Sequence, residues 1–337
     1  MLKRLRRPLR HLITLALLVW VVRRISARDG LDALVTTLHA ADVRWLLAAG
    51  LFASLAVVLG VLRFRLLLKT SGIDLPVTWL TRVSLEGRFV GAFTPSTAGL
   101  DIYRAVAVGR RTGSRSVAAG VIVIEKLLGL LGLVTLVFGL GLLGAGVLRD
   151  GQGALATLGL ALGCGLGLAL VLRPRMLERA SARLPSAIAR RVARLVDALT
   201  AHPPSRSSLF GAFGLGLLGH LTTAAVFLAT SRALGIELPV VELLSLGVAL
   251  VLSALLPISV GGVGVREGVA VMLLGSLGVA GPQAALVATL GWLLTQPLAL
   301  VGGLCLLIPA LAHAPDSAPV AALARATSPG SLASPLS

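Results

Sequence analysis

The stretch LLPISVGGVGVRE, residues 255–267, lies between two apolar runs and ends in an arginine–glutamate pair. Pro257 lacks a backbone donor, and Gly261, Gly262 and Gly264 raise the entropic cost of ordering, so an unbroken helix through this stretch is disfavoured. In a bilayer, broken backbone survives only where protein or a wet cavity satisfies its polar groups. Ionisable residues beside such a break, here Arg266 and Glu267, mark a site by default.

The same pattern occurs earlier as FTPSTAGLDIYR, residues 93–104. Pro95, Thr97, Gly99 and Arg104 match Pro257, Ser259, Gly261 and Arg266 at identical spacing. Upstream, GIDLPV (72–77) matches GIELPV (235–240), and the distance from the proline of that motif to the next proline is 19 residues in one copy and 18 in the other. A recurrence of this length implies a duplicated structural unit.

Composition sets the medium. A hydrophobic fraction of 56% and a mean hydropathy of +0.94 exclude an ordinary soluble domain. The net charge of +17 comes with only 4% aromatic residues and no nucleic-acid motif, and the basic residues fall between apolar runs. Membrane topology and anionic lipid headgroups account for that charge, and nucleic acid is not expected as a partner. Cys164 and Cys305 both lie in apolar runs, so neither a disulfide framework nor a metal site is implied.

In chain order, a basic N-terminus precedes a short apolar run, about residues 11–22, read as a retained anchor in preference to a cleaved signal peptide. A second span covers about 45–62 and is followed by Arg63, Arg65 and Lys69. Residues 79–94 are apolar but carry Arg82, Glu86 and Arg88; both flanks are basic, which predicts a re-entrant segment. Spans follow at about 118–148, 153–172, 209–230 and 284–309, the last broken near Pro297. A basic connector, 173–206, contains a stretch (187–199) that reads as a surface helix on the anionic inner leaflet or as a solvated one. The expected fold is an all-α polytopic membrane protein of about six transmembrane helices plus two re-entrant broken-helix units in an inverted repeat. The membrane domain covers 1–312, with repeat units at about 45–148 and 208–311, and a disordered tail covers 313–337. The positive-inside rule places both termini in the cytoplasm and the chain in the plasma (inner) membrane.

The candidate site residues follow from the two broken segments. Arg104 and Arg266 can pair bidentately with a phosphate or carboxylate, assisted by backbone donors around Gly99, Gly261 and Gly262; alternatively each is held by Asp101 or Glu267. Ser259 is grouped with these headgroup contacts, and Pro95 and Pro257 with the structural positions. Arg82 and Glu86, at i,i+4, are expected to neutralise each other. Arg88 has no local acid and is the better ligand contact, while Glu125 is a partner for Arg88 or Arg104 or else a proton-coupling carboxylate. His220 reads as an interhelical donor or a proton relay. No phosphate loop, metal-ligand run, HExxH or GxSxG motif is present, so no enzyme activity, cofactor or metal is expected.

At LLPISVGGVGVREG, together with PSTAGLDIYR and IEKLLGL (124–130), the chain resembles the lysylphosphatidylglycerol synthase transmembrane-region family of flippase-like membrane proteins. The resemblance covers roughly residues 46–308, departing at Ala98, where relatives often carry glycine, and at Lys126, where arginine is common. In the multiple peptide resistance factors the aminoacyl transfer belongs to a soluble domain after the membrane region, and the tail here is too short for one. The resemblance therefore implies the membrane half alone: movement of an anionic or aminoacylated phospholipid, or a polyprenyl-phosphate-linked lipid, between leaflets. It carries over the motif residues Pro95, Gly99, Asp101, Arg104, Pro257, Ser259, Gly261, Gly262, Arg266 and Glu267. The competing expectation is a membrane subunit or scaffold for a lipid-modifying or cell-envelope glycolipid enzyme; the expected partners are anionic membrane lipids together with cell-envelope biosynthetic enzymes.

Overall fold

The computed structural model describes residues 39–94, 98–143, 204–255, 259 and 262–307, with isolated positions 162, 165, 166 and 193. The expected span at 11–22, the tail, Pro95, Pro257 and Gly261 lie outside this set, as do the span at 153–172 apart from 162, 165 and 166 and the connector apart from 193 and 204–206. Every regular element described is an α-helix: α1 Val43–Thr70, α2 Val77–Ala92, α3 Ala98–Thr112, α4 Arg115–Leu142, α5 Arg206–Ala233, α6 Val240–Leu255, α7 Val265–Ser276, α8 Gly281–Leu293 and α9 Gln296–Leu307. Among the described residues, α1, α4, α5 and the α8–α9 stretch Gly281–Leu307 are long and apolar enough to cross a membrane. The apolar side chains of α1 that stay exposed, Leu47, Leu51, Leu55, Val58 and Leu62, recur at helical spacing, as expected of a face turned to lipid.

The recurrence in the sequence has a counterpart in local structure. Corresponding positions lie 163 residues apart through the first half of each unit (240 against 77, 235 against 72). Asp42 caps α1 through the N–H of Arg44, and its counterpart Ser205 caps α5 through the N–H of Ser208. Both helices stop the same way. Gly72 and Gly235 take φ of 77° and 74°, a left-handed conformation that glycine adopts without steric cost, and the N–H groups of Ile73 and Ile236 return to Leu68 and Ser231. Pro76 and Pro239 then stand just ahead of α2 and α6, where the missing donor costs nothing.

Packing relates the two units. Helices α1 and α5 run antiparallel along their length: Asp42 N–H reaches Ala233, Ala49 and Ala53 pack with Val226 and Ala229, Leu59 faces Gly219, and Leu66 faces Gly211. Helices α2 and α3 form a second antiparallel pair, with Arg111 over the Trp79 ring, Tyr103 bonded to Glu86, and Leu100 against Gly87 and Gly91. That hairpin starts and ends beside the C-terminus of α1. In the other unit, Val279 joins the cluster around Leu234 and Ile236, and Gln283 donates to the Leu234 carbonyl, so α7 finishes beside the C-terminus of α5. Contacts also cross between units in a reciprocal way: α9 packs on α2, and α6 packs on α4.

Two boundaries differ from expectation. The second span does not stop near residue 62: α1 continues to Thr70 with Arg63 buried inside it. Protein groups solvate that charge, so the end of the apolar run is not the end of the helix. The last span starts at Gly281 and breaks between Leu293 and Gln296, beside Pro297.

Candidate functional site

One cavity of about 210 Å³ lies among α1, α2, α3, α4 and α5, and six of its lining residues are charged: Arg63, Arg88, Asp101, Arg104, Glu125 and Lys126. The antiparallel packing of α3 on α4 sets Arg104 against Glu125, 21 positions away in sequence. Arg104 bonds both Glu125 oxygens at 3.3 and 3.0 Å and also reaches Asp101 at 3.1 Å, while its guanidinium lies 4.5 Å from the Phe64 ring centroid. Lys126 Nζ takes the other Asp101 oxygen at 2.6 Å. Each carboxylate is thus held by a cation, an arrangement that offsets the desolvation cost of burying both.

The remaining two cations differ. Arg63 donates through Nη2 to the backbone carbonyl of Glu125, and Arg88 has no ion-pair or hydrogen-bond partner among the described residues. Neither guanidinium has a carboxylate in reach. Gly216 and Gly129 give Arg63 its room. A Cβ at residue 216 would lie 2.9 Å from Nη1, and one at residue 129 would lie 3.2 Å from Nη2.

Several buried polar atoms of the lining residues have no hydrogen-bond partner: Arg63 Nε, Arg104 Nε, Ser84 Oγ and His220 Nε2. His220 Nε2 lies beside Gly129 of α4, 3.3 Å from where an added Cβ would stand. Buried polar groups are normally satisfied, so these enclosed atoms stand out beside the cavity.

The other candidate residues do not reach this cavity. Glu86 sits apart, accepting from Arg82 Nε at 2.7 Å and from Tyr103 Oη at 2.8 Å, so the expected Arg82–Glu86 neutralisation is present. Gly99 packs on Thr94 and donates its N–H to Thr94 Oγ1 at 3.1 Å. Arg266 and Glu267 form a separate buried pair at 3.2 Å, with Arg266 5.3 Å from the Trp292 ring centroid. Glu267 also accepts the Gly264 N–H at 2.6 Å, which ties it to the start of α7. Gly262 holds φ of 75° in the preceding turn, and Ser259 is fully buried with Oγ unpartnered. Arg104 and Arg266, equivalent in sequence, are therefore not brought together.

Arg63 is the residue that sequence reasoning missed, having assigned it to a basic flank. A signal was present: Ala49, Ala53, Ala56, Gly60 and Arg63 share one helical face, and a stripe of small residues ending in arginine marks a packed face.

Fold and cavity together define a multi-pass helical membrane protein with a charged interior. The chain belongs to the lysylphosphatidylglycerol synthase TM region family, whose sequence model matches residues 9–303. No curated protein matches it significantly.

Proposed function

We propose that this protein binds the phosphate-bearing headgroup of a membrane lipid in the Arg63–Arg88–Arg104 cavity and moves that lipid between leaflets. The observation that carries the reading is one cavity lined by four cations and two carboxylates, in which Arg88 has no ion pair or hydrogen bond among the described residues. Planar guanidinium forks match phosphate geometry, and buried donors gain most from an anion that replaces water.

Depth supports the same reading. Arg63, Arg88, Arg104 and Glu125 stand seven to eleven residues inside the ends of α1 to α4 (Thr70, Val77, Thr112 and Arg115), roughly 10–17 Å along the helices. A headgroup there has left the interface for the hydrocarbon region. We read the units as an inverted repeat, because their first helices are antiparallel and their hairpins return to opposite ends of the bundle. Each hairpin is then re-entrant, a recurring transporter arrangement. The end bearing Arg65, Lys69, Arg110, Arg111, Arg115 and Arg206 carries Asp74 as its one described acid, whereas Asp42, Glu237 and Glu242 lie at the other. The positive-inside rule puts the basic end in the cytoplasm of a plasma-membrane protein. Arg82 bonds the Cys305 carbonyl near that end, which brings the end of α9 to the same side.

The test is leaflet exchange of defined anionic lipids by the reconstituted protein. Arg88→Gln removes a cation without breaking a pair, so it should leave melting unchanged or raised and slow exchange by roughly tenfold or more. Unchanged exchange in a stable Arg88→Gln protein would exclude this cavity as the route.

A further inference from the structure

We infer that the headgroup taken by this cavity is a phosphomonoester, one phosphate bearing two negative charges, in preference to a phosphodiester or an aminoacylated headgroup. The inference rests on the headgroup-site reading above and names its substrate class. Four cationic side chains line the cavity against two carboxylates, a surplus of two positive charges among the described residues. The surplus belongs to identified groups. Lys126 and Arg104 engage Asp101 and Glu125, leaving Arg63 and Arg88 without a carboxylate. Two uncompensated charges inside a membrane protein are costly, and a ligand of matching charge relieves both.

Hydrogen-bond geometry selects in the same direction. The Arg88 guanidinium lines the cavity with no hydrogen bond or ion pair among the described residues, and it supplies a planar fork of donors. A phosphomonoester offers three terminal oxygens to such a fork, a phosphodiester two. An aminoacyl headgroup adds an ammonium, which needs a free carboxylate, and both carboxylates are already held by cations.

The test measures binding of short-chain lipids to the full-length protein in neutral detergent at pH 8. Dioctanoyl phosphatidate is the monoester probe, with dioctanoyl phosphatidylglycerol, its lysyl ester and inorganic phosphate as comparisons. Phosphatidate should bind roughly tenfold or more tighter than phosphatidylglycerol. That ratio should fall as pH drops through the second phosphate ionisation, near about 6. Phosphatidylglycerol measured over the same pH range is the control for the protein groups that face the headgroup, Arg63, Asp101, Arg104, Glu125, Lys126 and His220. Arg88→Gln, which leaves a surplus of one, should bring the two lipids close to equal affinity. Inorganic phosphate should bind more weakly than phosphatidate; equal affinity would mark a free-anion site and overturn the lipid assignment. Equal binding of phosphatidylglycerol, or tighter binding of the lysyl ester, would overturn the monoester inference and leave headgroup transport standing. Failure of every lipid to bind would overturn the headgroup site itself.

Discussion

Gly216 shows how one small side chain sets the chemistry of the cavity. Arg63 enters from α1 and lies across the backbone of α5, where a Cβ at residue 216 would meet Nη1 at 2.9 Å and Cζ at 3.1 Å. Gly216→Ala should push the guanidinium off the Glu125 carbonyl, costing ~1–3 kcal/mol of stability and weakening anion binding. Gly214, on the same helix, has nothing within 4 Å of its added Cβ, so Gly214→Ala is the matched control and should be silent or slightly stabilising. Thermal melts in detergent, with anion titrations, compare the two. Equal behaviour of both variants would mean that Arg63 has freedom the packing denies it. Arg104 stands differently: its removal strands Asp101 and Glu125, so its loss reads as misfolding before it reads as lost binding.

At the scale of elements, lipid provides no hydrophobic drive between helices, so close approach must supply the attraction. Helix α9 meets α2 at Gly302, where an added Cβ would collide with the Leu85 carbonyl, and at Gly303, where it would lie 2.8 Å from the Phe89 ring. This contact fixes α2, and with it Ser84 and Arg88, against the rest of the bundle. Gly302→Val should separate the helices and destabilise the protein by ~2 kcal/mol or more, with anion binding falling alongside. Gly139→Val in α4, where the added Cβ meets nothing within 4 Å, should do neither. Comparing melting temperatures of the two variants checks this, and parity would show that the α2–α9 contact does not brace the site.

For the whole molecule, the antiparallel α1–α5 pair makes a claim about sidedness. Thr112 closes the first hairpin at the basic end, and Gly278 follows the second at the opposite end. In a background lacking Cys164 and Cys305, Thr112→Cys should react with an impermeant thiol reagent from the cytoplasm only. Gly278→Cys should react from outside only. Labelling of both from one side would refute the inverted arrangement, and with it the expectation that the hairpins meet from opposite leaflets.

Much of the architecture was readable along the chain, because the features that set it are local. Pro76 and Pro239, Gly72 and Gly235, and the i,i+4 and i,i+3 pairs Arg82–Glu86 and Arg104–Asp101 act within a turn or two of backbone. The recurrence of GIDLPV as GIELPV was equally legible, and the two segments share a glycine turn and a proline ahead of the next helix. The site was legible only in part: Arg88, Arg104 and Glu125 as a partner of Arg104 were anticipated, but their convergence with Arg63 depends on contacts between distant segments. Arg63 reads as a flank until α5 packs over it, and Glu125 becomes the partner of Arg104 only through the α3–α4 pairing. The repeat itself suggested two matching arginine sites, and packing made them unlike. The positions in α6 equivalent to Ser84 and Arg88 are Gly247 and Val251. Gly247 lets α6 close on α5, its absent Cβ falling 2.6 Å from Ala224 Cα, while Val251 joins the apolar clusters. The first unit therefore keeps a charged cavity where the second has close packing: duplicated sequence carries the fold, but which copy stays open depends on how closely its neighbours approach.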